Sequence, residues 1–303
     1  MNRNTLTRIA TITAIIGGVS LLIAGVIGVA SGTFQAIAAG TFRFNEAGRA
    51  GNMAVDEQKS LPIMSINRIA INAVSENITI REVSGDDITA RFHGNISSTS
   101  PDDRPHLEVR LQGDTAEIRI ERQQHITFGS TYSDAVLEVS IPKQYAGKLT
   151  AQGVSSDITA GSHHYAEVAL KTISGHILAQ DLTTERTNIY SVSGDVDMKA
   201  FTGDVDAHSI SGCVALTFTE MPGSINIKTV SGDIRLGMPP NAGFALDVHS
   251  NSGGVTCDFP ITITNSRTGG GEHSLTGTAG SGKGAITVRT VSGDIGIIRN
   301  GGV

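Results

Sequence analysis

A three-residue turn signal, Ser-Gly-Asp or a close variant, recurs nine times in this chain of 303 residues. The copies begin at Ser84, Ser155, Ser174, Ser193, Thr202, Ser211, Ser231, Ser252 and Ser292. From Ser155 the main series advances by 19, 19, 18, 20, 21 and 40 residues, with Thr202 and Pro222-Gly223-Ser224 as half-step echoes. A fixed period of about 20 describes units that cannot bury an apolar face alone and must stack to do so. The architecture expected is all-β: a β-solenoid or β-roll with about 20 residues per rung.

The clearest rungs are Ile189–Met198, Ile225–Leu236 and Ile286–Ile297. In each, two alternating strands flank a corner, which places aliphatics inward and Lys, Arg, Asp or Thr outward. Gly admits a positive φ at the corner, and Ser or Asp side chains bond the turn amides. The structural turn residues expected on this logic are Gly85, Gly175, Gly194, Gly203, Gly212, Gly232, Gly253 and Gly293. Asp86, Asp195, Asp204, Asp233 and Asp294 accompany them. In sequence order the third corner residues are Asp157, His176, Asp195, Cys213, Asp233, Gly254 and Asp294. Asp on alternate rungs would keep like charges apart.

Four segments follow from pattern and composition. Residues 9–30 run without a charge for 22 positions, enough to span a hydrocarbon core as a helix. Arg3 and Arg8 precede this run, which sets the N-terminus in the cytoplasm and the remainder outside. A cleaved signal peptide ending near Ala36-Ile37-Ala38 is the rival reading, but its apolar region would be unusually long. Residues 1–31 are therefore read as a cytoplasmic tip and single-pass membrane helix, and 32–61 as a tether. Residues 62–148 alternate apolar with polar and form an N-terminal β part, with a hairpin turn at Gln112-Gly113-Asp114. Residues 149–303 hold the solenoid repeats, and a Gly-rich hairpin or loop at 264–284 absorbs the final 40-residue step. No helical apolar stripe occurs after residue 40.

Composition narrows function. Apolar residues are 39% but aromatics only 4%, with no Trp, which suits a thin aliphatic core and not a cleft paved with aromatic platforms. The net charge of −6, without a run of basic residues, argues against nucleic acid and anionic lipid as partners. Cys213 and Cys257 fall two rungs apart in the series, about 10 Å by strand spacing, too far for an undistorted disulfide. Two free, half-buried thiols are expected, and a bridge only if the register slips.

No catalytic constellation stands out, and no cofactor or metal is expected. Gly277–Gly284 (GTAGSGKG) resembles a phosphate loop but has Gly284 where Ser or Thr should hold magnesium, and a strand follows. The corner aspartates offer too few oxygens for calcium. His163 and His164 are adjacent, so a strand would point them to opposite faces; a surface turn suits them better. His176 and His208 are expected to be solvated at or near corners. Asn77-Ile-Thr79 and Asn95-Ile-Ser97 match the glycosylation sequon. Acidic residues such as Asp197 and Asp206 are scattered along outward strand faces instead of paired for acid/base work.

The Val-Ser-Gly-Asp-Ile corners (Val83–Asp86, Val192–Val196, Val230–Ile234, Val291–Ile295), the strand ending Val139-Ser140-Ile141-Pro142 and the Gly-rich insertion before Ile286 resemble the bacterial putative-adhesin β-strand-repeat family. The resemblance covers roughly Ile66 to Ile298. It implies a right-handed β-roll or solenoid on the cell surface, often membrane-anchored and sometimes associated with envelope-stress systems. It carries no catalytic residues to transfer, and His176 and Cys213 depart from the usual corner Asp.

The expected function is a non-enzymatic, membrane-anchored extracellular module that engages a cell-surface glycan or an envelope protein. The alternatives are a scaffolding or regulatory partner of an envelope-stress signalling system and, last, a polysaccharide-active β-helix enzyme.

Overall fold

The computed structural model describes residues 51–98, 104–122, 133–269 and 272–301, and every regular element among them is a strand. The first are β1 (Gly51–Pro62), β2 (Arg68–Asn72), β3 (Asn77–Val83), β4 (Asp87–Ser98), β5 (His106–Gln112), β6 (Thr115–Glu121) and β7 (Ser133–Pro142). Next come β8 (Lys148–Gly153), β9 (Ile158–Ala160), β10 (His163–Ser174), β11 (Ile177–Gln180), β12 (Leu182–Ser193), β13 (Val196–Ser211) and β14 (Val214–Phe218). The last are β15 (Ser224–Ser231), β16 (Ile234–Met238), β17 (Phe244–Ser252), β18 (Val255–Cys257), β19 (Ile261–Gly269), β20 (Glu272–Ala279), β21 (Gly284–Ser292) and β22 (Ile295–Arg299). The expected anchor at 9–30 lies outside the described residues, and no described helix is long and apolar enough to cross a membrane.

Each rung contributes one strand to each of two sheets. Sheet A runs β1-β4-β7-β3-β9-β11-β13-β14-β16-β22-β18. Sheet B runs β5-β6-β2-β8-β10-β12-β13-β15-β21-β17-β20-β19. The 16-residue β13 serves both, its first part in sheet A and its second in sheet B. Rung-to-rung pairing is parallel and in register apart from shifts where β13 meets β12 and β14, so Leu149 faces Val168 and Val168 faces Thr187.

Alternation along each strand gives both sheets one buried face. Ile78, Ile158, Ile177, Val196, Val214, Ile234 and Ile295 form a buried column just after the corner in sheet A. Leu170, Ile189, Ala207, Ile227, Val288 and Val248 do the same in sheet B. Fully burying one such aliphatic is worth about 1.5–3 kcal/mol, and the column repeats that gain at every rung. The core is thin and aliphatic, with edge-to-face pairs Phe201–Phe218 and Phe244–Phe259.

Spatial order departs from sequence order at both ends. β21 and β22, the last rung in the chain, insert between β15/β16 and β17/β18. The 40-residue step therefore spans a terminal rung plus the antiparallel hairpin β19–β20, whose strand β20 pairs with β17. At the other end β2 lies between β6 and β8, and β3 between β7 and β9. The division at 148/149 thus separates no bodies; the stack is continuous across it. Both ends share one device: two mutually antiparallel strands with a third between them, β3-β7-β4 and β20-β17-β21. The antiparallel strands cover edges that would otherwise offer unpaired amides.

Several expectations need correction. Residues 51–61 of the expected tether belong to β1, which pairs with β4 along its whole length and buries Val55. Its charged outer face, where Asp56 pairs with Arg91 at 2.8 Å, masked the alternation. Thr does not always face outward. Thr172, Ser191, Ser209, Thr229, Thr290 and Ser250 are buried, and Val192, Val230 and Val291 beside them are half-buried on the other face. The hydroxyls turn toward nearby corner carbonyls or one another, as in Ser250 to Gly293 O at 3.1 Å and Thr229 to Thr290 at 2.8 Å.

Candidate functional site

The corner residues assemble into two columns. Gly175, Gly194, Gly212, Gly232, Gly293 and Gly253 stack in that spatial order, and the reason is steric as well as conformational. A Cβ on Gly232 would stand 2.0 Å from Gly212 O, and one on Gly293 2.2 Å from Gly232 O. No L side chain fits over the carbonyl of the rung below.

The third residue of each corner, which follows the Gly or the residue in its place, builds the second column. Asp157 N–H donates to Asn77 Oδ1 at 3.0 Å and His176 N–H to Asp157 Oδ1 at 2.8 Å. Asp195 N–H donates to His176 Nδ1 at 3.2 Å, and Cys213 N–H to Asp195 Oδ1 at 2.8 Å. The ladder skips Cys213, because a thiol is a weak acceptor. It resumes with Asp294 N–H on Asp233 Oδ1 (2.9 Å) and Gly254 N–H on Asp294 Oδ1 (2.7 Å). The expected alternation of Asp therefore fails, since Asp233 and Asp294 are spatial neighbours. Each carboxylate is occupied by an amide, which explains the corner aspartates without a cation.

Gly203 and Asp204 belong to the opposite edge, where Asp204 Oδ1 accepts Ser224 N–H at 2.9 Å; the half-step echoes are this second corner. Gly85 and Asp86 are no rung corner. They form the reversal that strides over β7, held by the Gln144 amide donating to Gly85 O (2.7 Å) and Asp86 Oδ1 (2.9 Å). The true corner of that rung is Val74-Ser75-Glu76-Asn77, where buried Glu76, paired with Arg122, takes the Gly position. The phosphate-loop lookalike is the matching stride over β17, with Gly284 N–H on Gly243 O at 3.1 Å.

His163 sits on β10 and not in a surface turn. It is buried, its two nitrogens 3.1 Å from Glu82 and 2.8 Å from Tyr145 O. Cys213 and Cys257 are free; Cys213 is exposed instead of half-buried, because it occupies the corner itself. The inserted rung also sets them three steps apart. Among the described residues no three His, Cys, Asp or Glu side chains cluster to hold a metal.

What sequence reading missed lies on the outer face of sheet B. Register places Arg119, Asn72, Gln152, Lys171, Tyr190, His208, Lys228, Arg289 and His249 in one line, one per strand. No basic run exists in sequence, yet folding gathers a basic and aromatic stripe. The last six all stand four residues before a corner Gly, a signal available once the corners are superposed.

Lys171 lies over the Tyr190 ring, its ammonium 5.5 Å from the centroid, and Tyr190 stacks on His208 at 5.4 Å and 12°. His208 is thus packed in a stack instead of solvated. Burial lowers its pKa, opposed by the Asp206 carboxylate 3.1 Å away. Burial raises the Tyr190 pKa.

Two residues back along each strand runs a line of smaller side chains: Ala70, Thr150, Ala169, Asn188. Beyond it stand Arg68, Lys148, Glu167 and Arg186. Small residues between two rows of long ones make a groove of about 410 Å³ along the stacking axis. Arg68, Lys148 and Glu167 line one side, Gln152, Lys171 and Tyr190 the other. Lys148 Nζ bonds Glu167 at 2.7 Å and holds that carboxyl below its ordinary pKa.

Comparison with solved structures finds remote likenesses. A "putative cell adhesion protein" from Clostridium sporogenes is 12% identical, covering 82% of this chain and 100% of its own, with a TM-score of 0.37. A "putative adhesin" from Bacteroides fragilis is 13% identical over 80% of this chain and 97% of its own, TM-score 0.36. A "putative lipid binding protein" from Parabacteroides distasonis is 15% identical over 80% and 96%, TM-score 0.28. No curated protein matches the chain. A family profile matches residues 66–191 and 153–298, which together take in the corners, both sheets apart from β1, and the stripe, and the chain therefore belongs to the Toastrack DUF4097 family.

Proposed function

We propose that this protein is a non-enzymatic binding module of the cell envelope, held to the membrane by residues 9–30. In this reading it offers the outer face of sheet B to a cell-surface glycan or envelope protein, as an adhesin does. The observation that carries it is the register-built line Lys171, Tyr190, His208, Lys228, Arg289, one side chain per rung. Such a line presents repeated contacts to an extended partner. Acid/base catalysis would need two poised groups in the groove. Its lining has one carboxylate, Glu167, which Lys148 keeps ionised.

The test uses the labelled full chain and isolated cell-envelope material. Reversing charge at Lys171 and Lys228 should abolish retention, while Arg235→Glu on the outer face of sheet A should leave it intact. Equal retention of all three proteins would sink the assignment of the face. For the anchor, deleting residues 9–30 should move the protein from the membrane fraction to the soluble one.

A further inference from the structure

We infer that the groove on sheet B holds one extended strand of an acidic polysaccharide, carrying carboxylates on its sugars and lying along the stacking axis. This rests on sheet B being the binding face and goes on to name the ligand's chemistry.

Shape comes first. The two walls stand four residues apart along each strand, about 13 Å between backbones. That is room for a single sugar chain and too narrow for a nucleic-acid duplex. Periodicity comes second. Across β2, β8, β10 and β12 wall and floor side chains recur strand by strand, about 4.8 Å apart. An extended pyranose chain advances by close to that distance per sugar, so successive sugars meet equivalent positions on successive rungs.

Charge decides between polymers. Arg68, Lys148 and Lys171 face the groove against the single carboxylate of Glu167, in a chain whose net charge is −6. Among the described residues no carboxylate is paired with Lys171, and Arg68 acts on Glu167 without a direct bond, that carboxylate being bonded by Lys148. Past the groove's end at Asn188 the same row continues on the open sheet face through Asp206, Asn226 and Thr287, where the outer wall drops to Ser224 and Ala285. Asn226 Nδ2 already donates to Asp206 at 2.8 Å, which leaves that carboxylate a further lone pair for a hydroxyl donor. A phosphodiester polymer without free sugar hydroxyls offers Asp206 no donor. One that interleaves hydroxyls with carboxylates satisfies both signs. Lys171 is ordered beforehand by the Tyr190 ring, itself seated on His208, so little rotamer freedom is lost on binding.

The experiment is calorimetric titration of the detergent-solubilised full chain with an oligogalacturonate and with its fully methyl-esterified, uncharged counterpart. The acid should bind, and the ester should bind at least about tenfold more weakly. Lys171→Glu should cost a similar factor, and 1 M salt, with a Debye length of about 3 Å, should erase the difference between acid and ester. Lys171→Met, which keeps the aliphatic stem, supplies the comparison if the reversal perturbs folding by circular dichroism. Equal affinity for acid and ester, or indifference to both Lys171 variants, overturns the proposal, as does tighter binding of single-stranded oligothymidylate. If wild type ignores the uronate while Lys171→Glu still abolishes envelope retention, the ligand class falls and the binding face stands. If retention is also indifferent to Lys171, both fall.

Discussion

Asp294 Oδ1 accepts the backbone N–H of Gly254 at 2.7 Å, so a residue 40 positions later in the chain caps the corner of an earlier rung. The bond exists because the final rung slides inside the terminal one. Asp294→Ala should therefore loosen a corner that sequence order would assign to a distant part of the stack. The loss of one cap is worth about 1 kcal/mol. Hydrogen exchange should show the amide of Gly254 opening sooner, with those at Ser155 and Ser174 unchanged. Uniform change, or none at Gly254, would contradict the inserted order.

The same ladder identifies a site where stability can be gained. Cys213 breaks it by putting a thiol where Asn77 and Asp195 supply oxygens. Cys213→Asn gives the Asp233 N–H a neutral acceptor without adding a third charge between Asp195 and Asp233. An increase of up to about 1 kcal/mol is expected, a rise of about 2–4 °C in melting temperature for a fold of this size. A fall in melting temperature would mean that the corner geometry at this rung differs from its neighbours.

Two glycines separate conformational from steric cost. Gly85 and Gly232 have nearly the same φ, +135° and +133°, but Gly85 faces open space and Gly232 would drive a Cβ to 2.0 Å from Gly212 O. Gly85→Ala should cost about 1–3 kcal/mol, the price of the backbone region alone. Gly232→Ala must also push apart two rungs bonded in register and should exceed about 4 kcal/mol. Urea midpoints of the two variants make the comparison, and similar values would refute the stacking argument.

The contrast explains what could be read in advance. Ser-Gly-Asp at Ser193, Ser231 and Ser292 announced rungs because a glycine column is a steric necessity repeated at each step. Order in space was not legible, since β15 and β17 present the same alternation and corner to β21, and only the β19–β20 hairpin settles which lies outermost. The rung at Arg68–Val83 stayed hidden because Glu76, neutralised by Arg122, replaces its glycine. The stripe from Lys171 to His249 was invisible to charge counting, as its members lie about 20 positions apart and touch only through register.

The buried hydroxyls give a directional prediction. Thr229 donates to Thr290 at 2.8 Å, and Thr290 donates onward to Ser292 O at 3.2 Å. Thr290→Val strands the Thr229 hydroxyl in the core, a loss of about 1–3 kcal/mol. Thr229→Val leaves Thr290 still bonded and should cost less. The double variant should lie close to Thr229→Val alone, with a coupling of at least about 0.5 kcal/mol in a double-mutant cycle. Additive costs would show that the two hydroxyls do not depend on one another.

His208 supplies a pH dependence whose sign follows from its surroundings. Burial against Tyr190, with Lys228 on the next strand, outweighs the pull of Asp206 and holds its pKa in the fold below the ordinary 6.5. The unfolded chain then takes up the proton first. Stability owed to the neutral ring is fully present above pH 6.5, begins to fall as pH drops through 6.5, and is lost in full once pH passes below the folded value. His208→Asn removes this contribution, so the stability difference between wild type and variant should shrink between pH 8 and pH 5 while other titrating groups cancel. A difference that widens on acidification would mean that Asp206, not burial, governs the ring, and the stack at Tyr190 would then be a charged one.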